Sequence, residues 1–347
     1  MELKYKNLII LYLGILIVSC NSNDTKNITF SPKLAPKLVS SVNKFSDTIF
    51  VSDYISSIVF HDNNYYFLDT RSATIICTDE NFEFKSIIGK RGQGPGESAF
   101  LLTLGVFDDK VYLNGNGTNL NVFDTNGNFI SAISYARDVG QIIGLSRMVI
   151  KENKITGCFN GKYSHEGSPF VTFDFSGNII TVSKGTVNEI TKTISSRSVY
   201  ELEYGGFVSV VNSFPVIDVY DNNMNYMRSV DISYIEVIKK YMEQKESLRN
   251  DPNAIYNFTM NSYCVKNKLY LLCVSTVGNT HNPNNSCNTI IELDLSENTF
   301  THSRTIMLPD DWYISFCVSP DGKILTAHNT FKATIDQFDI GEQAIAK

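Results

Sequence analysis

Short apolar runs with polar residues at alternate positions recur along this chain, and six of them end alike. Asp79, Asp124, Asp174, Asp221, Asp294 and Asp339 each follow such a run and precede a turn. The intervals between them are 45, 50, 47, 73 and 45 residues. Period-two alternation predicts strands, and a repeat near 45 residues is the signature of a four-stranded propeller blade. An Asp in this position accepts hydrogen bonds from the amides that follow it. Asn126-Gly127, Ser176-Gly177 and Asn222-Asn223 supply residues that tolerate the positive φ of a tight hairpin. The expected fold is all-β: a six-bladed β-propeller with four-stranded antiparallel blades.

The blades are expected at 56–89, 104–134, 146–183, 198–232, 261–306 and from about 314 onward. Gly205-Gly206 reads as a two-residue hairpin in the fourth, and Pro320-Asp321-Gly322 as the turn in the sixth. After Asp339 too little chain remains for a fourth strand in blade six. Ile28–Ser41 is expected to supply it, with Pro32 and Pro36 compatible only with an edge strand. The 73-residue interval holds an insertion between blades four and five, 233–251. There Ser233 and Glu236 predict a capping box, and Ile235, Ile238, Tyr241 and Met242 share one helix face, so a helix is expected over 233–249.

The first twenty residues read as an address. Lys4 and Lys6 precede an apolar stretch from Leu8 to Val18, too short for a comfortable span and suited to a secretory signal. Ile17-Val18-Ser19-Cys20 resembles a bacterial lipobox, which makes Cys20 the lipidation site and the membrane a partner through that anchor. Residues 21–27 form a polar tether, and 28–347 the propeller. The chain carries a net charge of −6 with no basic patch, so nucleic acid is not an expected partner. Of the other cysteines, Cys273 and Cys287 flank one loop and could close it, while the remainder sit in apolar runs as small hydrophobes.

The most individual segment is Ile88-Gly89-Lys90-Arg91-Gly92-Gln93-Gly94-Pro95-Gly96-Glu97. Its glycines allow consecutive amides to form an anion-binding nest beside Lys90 and Arg91. Lys90, Arg91, Gly92, Gly94, Gly96 and Glu97 are therefore candidate loop residues for anion binding, against the plainer reading of a shaped connection between blades one and two. With this G-x-G-P-G-E segment, the lipobox and the Asp-turn repeats, the chain is similar to the six-bladed β-propeller lipoproteins of Bacteroidota, TolB-like or NHL-like. The resemblance implies the fold and a cell-envelope location as an outer-membrane lipoprotein. It implies no catalytic residues.

Serine-hydrolase and zincin motifs are absent from the sequence. The expected function is a non-catalytic module that binds a protein or glycan partner through a propeller face, with no resident cofactor. Tyr65, Tyr204 and Tyr226 are candidate stacking surfaces, with burial or edge-strand packing as the alternative. The other functional reading is a metal-assisted hydrolase or lyase holding Ca²⁺ in the channel. Asp53, Asp108, Asp109, Glu201 and Glu203 are the carboxylates near inner-strand ends that it would draw on, with solvated hairpin charges as the alternative.

Overall fold

The computed structural model describes residues 31–115, 117–142, 147–185, 197–247, 257–275, 286–297 and 299–341. The signal segment with Cys20, the tether, residues 28–30 of the closing segment, residues 248–251 of the predicted insertion, most of the loop between Cys273 and Cys287, and residues 342–347 lie outside them. Among the described residues no helix is long and apolar enough to cross a membrane.

The fold is an all-β six-bladed propeller. Blade one comprises Ile55–His61, Asn64–Asp69, Thr74–Asp79 and Phe84–Ile88; blade two comprises Thr103–Phe107, Lys110–Asn114, Asn119–Asp124 and Phe129–Ser134. Blade three is Val149–Lys151, Lys154–Cys158, Phe170–Asp174 and Ile179–Val182; blade four is Arg197–Glu201, Phe207–Val211, Val216–Tyr220 and Tyr226–Asp231. Thr259–Val265, Lys268–Cys273, Thr289–Leu295 and Phe300–Met307 make blade five. The sixth combines Tyr313–Val318, Ile324–Asn329 and Thr334–Asp339 with Lys37–Val42 from the other end of the chain. Apolar clusters fill the space between successive blades, so the core is a ring of sheet-to-sheet interfaces.

The turns follow from residue type. Asp62-Asn63, Asp108-Asp109, Glu152-Asn153 and Lys266-Asn267 join inner to second strands with both residues at positive φ, the geometry that matches the twist of two-residue hairpins. Asp124, Asp174 and Asp221 each take the amides two and four residues on through Oδ1, while Asn128, Asn178 and Asn225 donate from their side chains to Oδ2. Asp79 takes the same two amides without a side-chain donor, and Asp339 takes the amide two residues on. Blade five departs from the pattern: its turn is held by Ser296, whose hydroxyl pairs with Thr299. In blade four the expected two-residue hairpin is instead a five-residue connection, Leu202–Gly206, with Gly205 and Gly206 at φ +96° and +79°.

Ring closure uses the expected segment, continued to Val42, and engages two blades. Lys37–Val42 runs antiparallel to Thr334–Asp339, with the Ser40 hydroxyl on Gln337 and the Ser41 hydroxyl on Asp336. Before it, Lys33–Leu34 lies parallel to Thr305-Ile306 at the outer edge of blade five. The chain therefore changes blade at Ala35-Pro36, where Pro36 has no ladder amide to lose.

The inserted helix runs Glu236–Ser247, three residues later than the capping box predicts. Asp231 takes the Ser233 amide in a turn, and the Glu236 carboxylate pairs with Lys240 and Lys33. Ile235, Ile238 and Tyr241 are buried in the cluster that joins blades four and five. Blade four also carries a buried polar row, in which Arg197 meets Asp218 at 2.8 Å and Asp218 accepts from Ser229.

Candidate functional site

The inner strands line a central channel, and a side chain that the sequence reading did not single out closes it. Arg147 lies just ahead of the inner strand of blade three and is 9% exposed. Its Nε donates to the Ser262 carbonyl at 2.8 Å, Nη1 to the Ile58 carbonyl at 3.3 Å and Nη2 to the Phe316 carbonyl at 3.0 Å. Nη2 also reaches Asn261 Oδ1 at 3.3 Å, and the guanidinium lies 4.7 Å from the Tyr263 ring centre. A planar cation with donors along three edges can bridge strands in this way; a lysine cannot.

Two cavities lie at opposite ends of the inner strands. One, of about 410 Å³, has Arg147, Tyr200 and Tyr263 in its walls and Lys151, Glu201 and Glu203 toward its mouth. The other, of about 330 Å³, sits where blades five, six and one meet, walled by Tyr54, Trp312 and Phe331 with Asp53, Arg71 and Ser56. Its aromatic rings are held by the loops that carry them. The Asp311 side chain, 8% exposed, accepts from Lys332 Nζ at 2.6 Å, Asn329 Nδ2 at 2.7 Å and the Trp312 amide at 3.1 Å. Burial alone would raise the Asp311 pKa, but these bonds outweigh it and hold the carboxyl below its usual range. On the opposite wall, Arg71 Nη1 meets Asp53 Oδ2 at 2.8 Å.

The glycine-rich segment brings its six named residues together. Lys90-Arg91 pairs in parallel with Glu97-Ser98, and the Glu97 carboxylate turns inward to accept the Gly94 amide at 3.0 Å and to meet Lys90 Nζ at 3.3 Å. Those contacts, the Gly94 amide foremost, lower the Glu97 pKa. A Cβ on Gly92 would stand 1.9 Å from that carboxylate and displace it, whereas Gly96, at φ +75° with the Phe129 ring 2.8 Å from a built Cβ, favours glycine. The Arg91 guanidinium donates to the Arg71 carbonyl, which connects this loop to the wall of the smaller cavity.

The five carboxylates considered for a metal are dispersed. Asp53 pairs with Arg71 and Glu201 with Lys151 at 2.9 Å; Asp108 and Asp109 form a hairpin, and Glu203 lies beside the larger cavity. Among the described residues no three acidic, His or Cys side chains converge. Tyr65 is buried, its hydroxyl accepting from Thr326 and Gln337, and burial pushes its pKa up to about 12. The Tyr204 hydroxyl donates to the Ser296 carbonyl, and Tyr226 packs edge-on to Tyr220. Cys273 and Cys287 are free and buried.

No family model and no curated protein sequence matches the chain. Among solved structures it is similar to a member of the DUF4221 family from Bacteroides vulgatus, with TM-score 0.61 and 12% identity over 88% of this chain and 97% of that one. It is also similar to a candidate exported protein from Bacteroides fragilis, with TM-score 0.58 and 13% identity over 90% and 99% of the two chains. A third likeness, TM-score 0.52 at 9% identity over 88% and 99%, is to the β-propeller domain of Cps50 (Swd1) from Myceliophthora thermophila. At these identities the common property is the propeller fold.

Proposed function

We propose that this chain is an envelope lipoprotein, anchored through Cys20, whose propeller binds a protein or glycan partner without catalysis. The observation that carries the binding reading is the aromatic-walled cavity of Tyr54, Trp312 and Phe331 at the blade junction, a concave surface with few polar groups of fixed position. The lipobox at Cys20 and the polar tether support the anchor. The exported character named for the Bacteroides fragilis protein is consistent with that location. A hydrolase would need convergent carboxylates, and here Asp53 and Glu201 are each engaged by a cation of their own.

Metabolic labelling with a palmitate analogue, followed by membrane fractionation, tests the anchor. Wild-type protein should be labelled and sediment with the outer membrane, and Cys20→Ala should be unlabelled. An unlabelled wild-type protein in the soluble fraction sinks the lipoprotein reading.

A further inference from the structure

We propose that the cavity between blades five, six and one is a subsite for a neutral pyranose ring. The inference rests on the binding-module reading and names its ligand class.

Three features of the cavity point the same way. Trp312 and Phe331 lie with ring centres 6.4 Å apart and planes inclined by 33°, so they make one broad aromatic wall. Phe331 is 68% exposed and Tyr54 42%, so aromatic surface at the cavity stays uncovered by the described residues. The C–H face of a sugar ring is apolar and flat enough to lie on such a wall, while its hydroxyl edge both donates and accepts hydrogen bonds. The opposite wall supplies both roles, since Asp53 accepts and Arg71 donates.

Charge selects among ligands. Asp53 and Arg71 neutralise one another at 2.8 Å, so an anion placed on Arg71 would face a carboxylate and a cation placed on Asp53 would face a guanidinium. A polyhydroxylated neutral molecule meets neither penalty.

The segments that carry the site are tied together before any ligand arrives. Asp311 fixes the Trp312 and Lys332 segments, Thr330 donates to the Asp53 carbonyl, and Arg91 holds the Arg71 carbonyl. Main-chain segments already held in place reduce the ordering that binding must supply. At about 330 Å³ the volume lies at the small end of ligand pockets, which suits one or two sugar rings and not a folded segment of another protein.

Trp312 is the single tryptophan of the chain, so its emission reports on the site directly. The mature wild-type protein is titrated with glucose, lactose, cellobiose and diacetylchitobiose. Glucuronate and inorganic phosphate serve as anionic probes, and N-acetylphenylalanine amide as an apolar peptide probe. At least one neutral saccharide should change the emission saturably in the millimolar range, and Arg71→Ala or Phe331→Ala should weaken that binding by about ten-fold. Both residues are exposed, so melting temperatures should hold; calorimetry on Trp312→Ala should show no heat of binding. The proposal is overturned if none of the four saccharides alters the emission, if glucuronate or phosphate binds as tightly as glucose, or if only the phenylalanine amide binds. A negative titration alongside normal lipid labelling removes the sugar subsite alone. Lost labelling with a positive titration removes the anchor and leaves the subsite standing.

Discussion

Arg147 donates across the central axis to the main-chain carbonyl of Phe316, 3.0 Å away, and so ties blade three to the blade on the far side of the ring. With its bonds to Ile58 and Ser262, one side chain joins the inner edges of four blades. Arg147→Met would remove these donors and leave buried carbonyls unpaired, a loss on the order of 3 kcal/mol. The urea midpoint should fall at unchanged slope, with Arg147→Lys recovering only part of it. A midpoint equal to wild type would show that the guanidinium fills space without holding the ring.

Removing residues 33–42 would expose the outer edge of Thr334–Asp339 and unpair Thr305-Ile306. Melting temperature should drop by on the order of 10 °C, and the protein should become prone to edge-to-edge association. Scanning calorimetry with light scattering reads both. An unaltered melt would mean that the ring closes by another route.

His328 is fully buried; its Nε2 bonds the Ser52 carbonyl at 2.8 Å and its Nδ1 has no partner among the described residues. Burial lowers its pKa from 6.5 to about 4. The unfolded chain therefore binds the proton more readily, and stability should be lost as pH falls from about 6.5 to about 4, by up to roughly 3 kcal/mol. His328→Gln should flatten that part of the stability profile, measured by urea unfolding at stepped pH. If both proteins lose stability with equal slope, other groups govern the acid limb.

Six cysteines are free among the described residues, and burial pushes the Cys158, Cys264 and Cys317 thiols up to about 12. In native protein they should be nearly inert to a disulfide reagent at neutral pH, and all six should react after unfolding. Because the folded state holds these protons longer than the unfolded chain, their contribution is intact below about pH 9 and fades as pH rises toward 12. Rapid native labelling of Cys273 or Cys287 would contradict their burial.

The Arg197 and Asp218 side chains are 3% and 2% exposed, so Asp218→Asn would strand a buried cation. The expected destabilisation is about 3 kcal/mol, whereas Arg197→Met with Asp218→Leu should cost much less. Equal losses in the two variants would assign the effect to packing instead of charge.

The blades were legible because each Asp turn is local: the carboxylate and the amides it accepts lie within four residues, so Asp124, Asp174 and Asp221 mark the same point in three repeats. Blade five kept the Asp at 294 but moved the turn to Ser296, and the regular interval hid the exchange. The closing strand was inferred from an unpaired edge, and the short strand ahead of it, Lys33–Leu34 on blade five, left no trace in the pattern.

The sites were far less visible. Arg147 is one arginine in an unremarkable stretch, and its acceptors lie 89, 115 and 169 residues away. Asp53 was noted as a carboxylate, but Arg71, Trp312 and Phe331 become its neighbours only once blade six meets blade one. A sole tryptophan directly before an inner strand, and a phenylalanine in a polar turn, were the available signals. Neither has a period, so a search for repeats passes over both.

The pairing of Ser41 with Asp336 spans 295 positions of sequence. During synthesis the first strand of the toroid emerges long before its neighbour exists, and no intermediate length of chain can satisfy it. Loop-closure entropy and high contact order then place this step late, after five blades have stacked. Closure is thus a latch between strands made far apart in time, and until it engages the nascent ring carries an open seam.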